Sequence, residues 1–175
     1  WSGGDGCYTF ADPEDPATVY YSSQHGAARR QDTRTGQSVS IMPRLPKGVK
    51  GRAEYNFITP YFISPHDRLT LYHAGNYVFK SRDRGDTWRL ISPDLARSAD
   101  PARLSTAAGA IAESPLDAGV LYLGTDRGAF WVTLDDGATW VERSAGLPPN
   151  YIRSICPSRF SPTRVYIAAP GINRD

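Results

Sequence analysis

Ser81-Arg82-Asp83-Arg84-Gly85-Asp86-Thr87-Trp88 returns 52 residues further on as Thr133-Leu134-Asp135-Asp136-Gly137-Ala138-Thr139-Trp140. Both read Ser/Thr-x-Asp-x-Gly-x-Thr-Trp. A degenerate copy sits in the first unit, with Asp32, Gly36 and Ser38, and Val39 in place of Trp. A second element recurs in phase. A Pro-led turn runs to a hydrophobic-Tyr pair: Pro13 to Val19-Tyr20, Pro65 to Leu71-Tyr72, Pro115 to Leu121-Tyr122, and a contracted Pro162 to Val165-Tyr166. Successive prolines lie 52, 50 and 47 residues apart. Two independent motifs sharing one period define a structural repeat.

Each unit holds short β-branched and aromatic runs separated by Gly, Pro and Asp, which is strand patterning. The first unit gives 7–11, 18–22, 27–31 and 38–42. The second gives 61–64, 70–74, 77–81 and 87–92. The third gives 110–113, 120–124, 129–133 and 139–143, and the fourth only 152–156 and 164–168. No segment keeps a helical apolar period; the best helical candidate, 101–108, is equally loop-like. Four strands per unit of about 50 residues predict an all-β propeller segment. It has three complete four-stranded antiparallel blades and about half of a fourth, at about 1–50, 51–103, 104–147 and 148–175, forming one partial propeller. The recurring octet reads as the turn between the third and fourth strands. Gly85 and Gly137 permit a tight turn. Ser81, Asp83 and Thr87, and likewise Thr133, Asp135 and Thr139, can bond turn backbone groups. Trp88 and Trp140 would fill the space between neighbouring blades.

The 175 residues are 40% hydrophobic, enough for one ordinary core, and four Trp, ten Tyr and six Phe argue against disorder. A net charge of +2 disfavours a nucleic-acid partner. No run is long enough to span a membrane, and none resembles a signal peptide. The chain starts at Trp1 and its one Met is Met42, which suggests a processed chain or a piece of a longer one. Cys7 and Cys156 lie in strand-like runs and are expected as buried free thiols, with a disulfide as the alternative. No Cys/His cluster has zinc spacing, and Asp135-Asp136-Gly137 lacks the ligands of a calcium loop, so neither metal nor cofactor is expected. Gly3-Gly4-Asp5-Gly6 is not followed by a helix and reads as a turn into the first inner strand. There is no Gly-x-Ser-x-Gly elbow.

At the two octets the sequence resembles the Asp-box (BNR) repeat propellers, which include sialidases, xyloglucanase-type glycoside hydrolases, sortilin-type receptor domains and photosystem II assembly-factor-like proteins. Gly3-Gly4-Asp5-Gly6, Tyr55-Asn56 with Thr59-Pro60, Ser92-Pro93-Asp94-Leu95 and Gly124-Thr125-Asp126 resemble bacterial secreted BNR-repeat glycosyl hydrolase-like or sortilin-like proteins. The resemblance implies fold over the whole chain, and an extracellular, periplasmic or cell-surface location. It implies no single activity, because one fold hosts many. Such propellers usually close rings of roughly six to eight or more blades. The remainder of the ring is therefore expected from the same polypeptide, a second chain or a copy of itself, since an open half-ring would expose apolar blade faces.

In such a blade the strand 1–2 and 3–4 turns share one face. The 2–3 loops and inter-blade connections share the other, where variable loops tend to carry function. The long segments 43–55, 92–109 and 144–151 lie there. Arg44, Lys47, Lys50 and Arg52, followed by Tyr55-Asn56, suggest a groove for an anionic or hydroxyl-rich ligand such as a glycan, or a peptide. The ligand-face candidates are Arg44, Arg52, Tyr55, Asn56, His73, Asn76 and Arg127; a solvated loop, or for His73 a packing role, is the alternative. Arg44-Leu45-Pro46 is close to the Arg-Ile-Pro of sialidases, but it follows a blade instead of preceding the first. Glycoside hydrolysis needs two carboxylates. Asp94 and Asp126 are the catalytic candidates, though Asp94 reads more readily as a turn or cap residue and Asp126 as part of a hairpin turn. The reading favoured is a non-catalytic scaffold or binding segment, with part of a glycoside hydrolase as the alternative.

Overall fold

The computed structural model describes residues 4–171; Gly3 of the Gly-Gly-Asp-Gly turn lies outside them. The chain is a β-propeller segment of three four-stranded antiparallel sheets and a two-stranded one, each a simple up-and-down meander. The first sheet is β1 (Thr9–Ala11), β2 (Thr18–Ser22), β3 (Ala28–Asp32) and β4 (Ser38–Ser40). The second is β5 (Tyr61–Ile63), β6 (Leu71–Ala74), β7 (Val78–Ser81) and β8 (Arg89–Leu90). The third is β9 (Ala108–Glu113), β10 (Leu121–Thr125), β11 (Phe130–Thr133) and β12 (Val141–Glu142). The fourth is β13 (Ser154–Pro157) and β14 (Val165–Ala168). No helix of the described residues is long and apolar enough to cross a membrane.

The repeats superimpose in register. Tyr20 faces Arg30, Tyr72 faces Lys80 and Tyr122 faces Val132 across the second and third strands of their sheets. The core lies between sheets. Tyr20, Ala28 and Ile41 of the first sheet bury against Tyr61 and Leu71 of the second, with Trp88 packed on the cluster. Tyr72, Val78, Ile91 and Leu95 meet Ala108, Leu121 and Leu123 of the third sheet, with Trp140 alongside. Ile152 and Ile155 close on Ala110, Tyr122 and Phe130. Each large side chain so buried contributes roughly 1.5–3 kcal/mol, so the seams are where the sheets gain most of their stability.

The Pro-led turns close through their first and last residues. Asp12 Oδ1 accepts from the N–H groups of Glu14 and Asp15 (3.0 and 3.2 Å), while Ser114 Oγ accepts from Leu116 and Asp117 (both 3.2 Å). At the far end Asp15 and Asp67 accept from Thr18 and Thr70 hydroxyls (2.8 and 2.7 Å). The octets form matching nets. Thr87 N–H donates to Asp83 Oδ1 and Gly85 N–H to Ser81 Oγ, both at 2.8 Å. Thr139 N–H likewise reaches Asp135 Oδ1 at 2.8 Å, and Gly137 N–H reaches Thr133 Oγ1 at 3.0 Å. Gly85 and Gly137 have φ of 90° and 85°. A Cβ on Gly85 would come within 2.8 Å of Ile41 of the preceding sheet. Trp140 Nε1 likewise donates to Ile91 O at 2.8 Å, tying the third sheet's turn to the second sheet.

Three expectations need correction. The outer strands are shorter than 87–92 and 139–143, because the Thr87 and Thr139 N–H groups serve the Asp side chains instead of a ladder. Residues 101–108 are a three-residue 3-10 turn at Pro101–Arg103, with Asp100 accepting from Ala102 N–H, before β9 begins at Ala108. The thiols are free but not buried: Cys7 is half-buried and Cys156 exposed. Alternation along β13 turns Ile155 inward and Cys156 outward.

Candidate functional site

The 2–3 loops and the inter-blade connections meet on one face, and the connection from β4 to β5 shapes a cleft there. Several long-range bonds fix its path. Asn76, in the β6–β7 loop, accepts Glu54 N–H on Oδ1 (2.8 Å) and donates through Nδ2 to Arg52 O (3.2 Å). His25 N–H donates to Phe57 O at 3.1 Å. The Tyr55 ring lies over Gly26 and Gly75, where an added Cβ would fall 2.7 Å from ring atoms; only glycine lets it approach.

The result is an open cavity of about 450 Å³ lined by His25, Met42, Arg44, Arg52, Glu54 and Tyr55, among others. Arg44 is exposed and has no ion pair among the described residues. Arg52 Nε pairs with Glu54 Oε1 at 3.0 Å, but 83% of its side chain is exposed. Such a pair is worth roughly 0–1 kcal/mol, so the guanidinium remains available. Burial without a partner pushes the Tyr55 phenol up to about 12, which keeps it protonated as a wall of the cleft. His25 holds φ at 58° in the left-handed region, with its ring edge-on to exposed Phe57 (5.5 Å between centroids). A non-glycine residue in that region costs on the order of 1–3 kcal/mol, and such residues cluster at functional sites. Cations, an imidazole and the Tyr55 ring around open space suit hydroxyl or carboxylate groups. Among the described residues Glu54 is the one carboxylate lining the cavity, whereas glycoside hydrolysis takes two.

The structure brings Arg44, Arg52 and Tyr55 together at this cleft and puts the other candidates to different work. Asn76 is buried and holds the connection. Asn56 Nδ2 donates to the carbonyls of Ala107 and Ala108 (3.1 and 2.9 Å), stitching the second sheet to the third. His73 is buried, with its ring against Tyr55, Tyr61 and Trp88. Its Nε2–H donates to Gly26 O at 3.0 Å, and burial drives its pKa down to about 4, so it is neutral. Arg127 is exposed beside Asp126 in the β10–β11 loop. Asp94 Oδ1 accepts Ala96 N–H (3.1 Å) and Asp126 Oδ1 accepts Thr106 N–H (3.1 Å); neither lines the cleft. Sequence reasoning did not single out His25, Met42 or Glu54. The one available signal was His25-Gly26 in a hairpin loop, where Asn-Gly or Gly-Gly would serve at lower cost. It also missed Arg103, a buried guanidinium that donates to the carbonyls of Leu147 and Gly128 (2.5 and 2.6 Å) and so ties two connections together. No cluster of three or more metal-ligating side chains occurs among the described residues.

Comparison with known proteins places the architecture first. No family model matches the sequence, and no curated protein does. Solved β-propeller structures do match. The GH74 xyloglucanase from Xanthomonas campestris superimposes with a TM-score of 0.64 at 21% identity, covering 95% of this chain and 28% of that one. A GH74 enzyme from Niastella koreensis gives 0.63 at 18% identity, covering 95% and 27%. YCF48 bound to D1 peptide gives 0.50 at 13%, covering 87% and 43%. These identities carry likeness of fold, and the chain spans little more than a quarter of the length of either GH74 protein.

Proposed function

We propose that this chain is a binding segment of a larger propeller protein acting at the cell surface or outside the cell, and that the cleft beside Tyr55 takes a hydroxyl-rich or anionic ligand, a glycan chain foremost. The observation that supports it is the cleft itself. Two exposed guanidiniums, a strained histidine and the Tyr55 ring surround open space, while Asp94 and Asp126 are engaged by turn N–H groups. Guanidinium forks suit paired oxygens, and flat rings suit sugar faces. The test is binding of a panel of polysaccharides, sialosides and peptides. Arg44→Ala with Arg52→Ala is expected to weaken glycan binding at least tenfold while the unfolding midpoint stays put. Unchanged binding in that variant would overturn the assignment.

A second reading has a specific observation behind it: the GH74 structures match 95% of this chain. On that reading the segment belongs to a glycoside hydrolase, and residues elsewhere complete its catalytic pair. Hydrolysis of a polysaccharide in the same panel, abolished by Asp94→Asn or Asp126→Asn, would establish it in place of the binding role.

A further inference from the structure

On the face of the octet turns, away from the loop-face cleft, three cations converge on one carboxylate. Lys80 Nζ lies 2.6 Å from Asp136 Oδ1. Arg82 Nη2 and Arg89 Nη2 both approach Asp136 Oδ2, each at 3.4 Å. Lys80 is nine-tenths buried, and its ammonium lies 5.2 Å from the Tyr72 ring centre. A cavity of about 270 Å³ opens beside them, lined by Lys80, Arg82, Thr87, Trp88 and Arg89.

The repeat supplies an internal control. By strand register the positions of Lys80, Arg82 and Arg89 are Arg30, Asp32 and Val39 in the first sheet, so that Val39 stands in the place of Arg89 and not, as the degenerate octet suggests, in that of Trp88. In the third sheet they are Val132, Leu134 and Val141. The same fold is thus built with three apolar residues at these positions, so packing does not demand the cations. At the preceding seam Arg30 meets Asp86 one for one at 2.9 Å. At this seam one carboxylate faces three cations, and both guanidiniums share a single oxygen at long range. A guanidinium carries five donors in a planar fork suited to paired oxygens; among the described residues Arg82 and Arg89 each place only Nη2 on a protein acceptor, and their side chains are 72% and 66% exposed.

We propose that this rim pocket of the second sheet is a binding site for a tetrahedral oxyanion, sulfate or phosphate, either free or as an ester on a larger molecule. Arg82 and Arg89 supply the bidentate contacts, and Lys80, held by Asp136 and Tyr72, supplies a fixed charge at the floor. The site is independent of the loop-face cleft and stands whether or not that cleft binds glycan.

The experiment is calorimetric titration of the purified protein with inorganic sulfate and inorganic phosphate, ionic strength held constant with chloride. Saturable binding is expected, weakened at least tenfold in Arg82→Gln with Arg89→Gln and unchanged in Arg159→Gln, an exposed arginine of the fourth sheet. The unfolding midpoint in chloride alone verifies that the double variant folds. A sulfated oligosaccharide that binds more tightly than both free sulfate and its unsulfated counterpart, with the gain lost in the Arg82→Gln, Arg89→Gln variant, identifies an ester ligand; free anion binding without that gain identifies the small anion. No saturable binding, or binding that survives in the double variant, overturns the proposal.

Discussion

His73 shows how a single ionisable residue ties stability to pH. In the unfolded chain an imidazole titrates near 6.5, whereas burial holds this one near 4. Between those values the unfolded state binds a proton that the native state refuses. The stability His73 contributes is whole above pH 6.5 and is lost as pH falls toward 4. From pH 7 to pH 5 the loss is about 2 kcal/mol, at roughly 1.4 kcal/mol per pH unit below 6.5. Urea denaturation at the two pH values should show it. His73→Phe should flatten that dependence even though its stability at pH 7 is lower, and an unaltered pH dependence in the variant would refute the account. Sequence alone set His73 among the ligand-face candidates, with a packing role as the alternative. Its burial comes from Tyr55, Tyr61 and Trp88, which only the folded connection and strands bring around it. His25 is the converse: a loop histidine whose significance lies in a backbone angle that composition does not record.

The turns and strands were the most legible elements. Pro-led turns and octets recur with fixed spacing, and each contains its own bonding partners within about five residues, so local chemistry decides their shape. Gly137 is the sharpest test. Its φ of 85° disfavours any side chain, and an added Cβ would meet Ile91 of the preceding sheet. Gly137→Ala is expected to destabilise by about 2 kcal/mol or more, read as a lowered urea midpoint with unaltered slope. A neutral substitution would mean the turn tolerates rearrangement. The β4–β5 connection was not legible in the same way. It has no periodicity, and its course is set by Asn76, Gly26 and Gly75 from other loops. That is why a cluster of Arg and Tyr could be placed together on the loop face from sequence, while the fastening bonds of Asn56 and Asn76 could not be foreseen.

Across the whole molecule, the seams carry the polar chemistry that the repeat period does not forecast. Asp12, with its side chain fully buried, accepts from Arg68 (3.2 Å) and forms an ion pair with Arg84 (3.3 Å), both of the second sheet, while capping its own turn. Asp12→Asn keeps the cap but removes the charge, and Asp12→Ala removes both. We expect Asp12→Asn to cost about 2 kcal/mol and Asp12→Ala about 3–5 kcal/mol, since a broken buried pair strands its partners; equal costs in thermal unfolding would assign the whole effect to the charge, and an Asp12→Asn without cost would assign it to the cap. At the next seam buried Glu113 accepts the Tyr72 and Ser64 hydroxyls (2.9 and 2.5 Å) and the Gly119 N–H (2.8 Å). By register its counterparts are Ala11 and Ile63. Near-identical repeats are liable to dock in the wrong order or to exchange between molecules during folding. Here each seam accepts one neighbour only. A sheet seated out of turn would bury Glu113 without its two hydroxyls or leave Asp12 without its arginines. Repeats alike enough to share a shape therefore carry, in their unlike edges, the instructions for their own sequence of assembly.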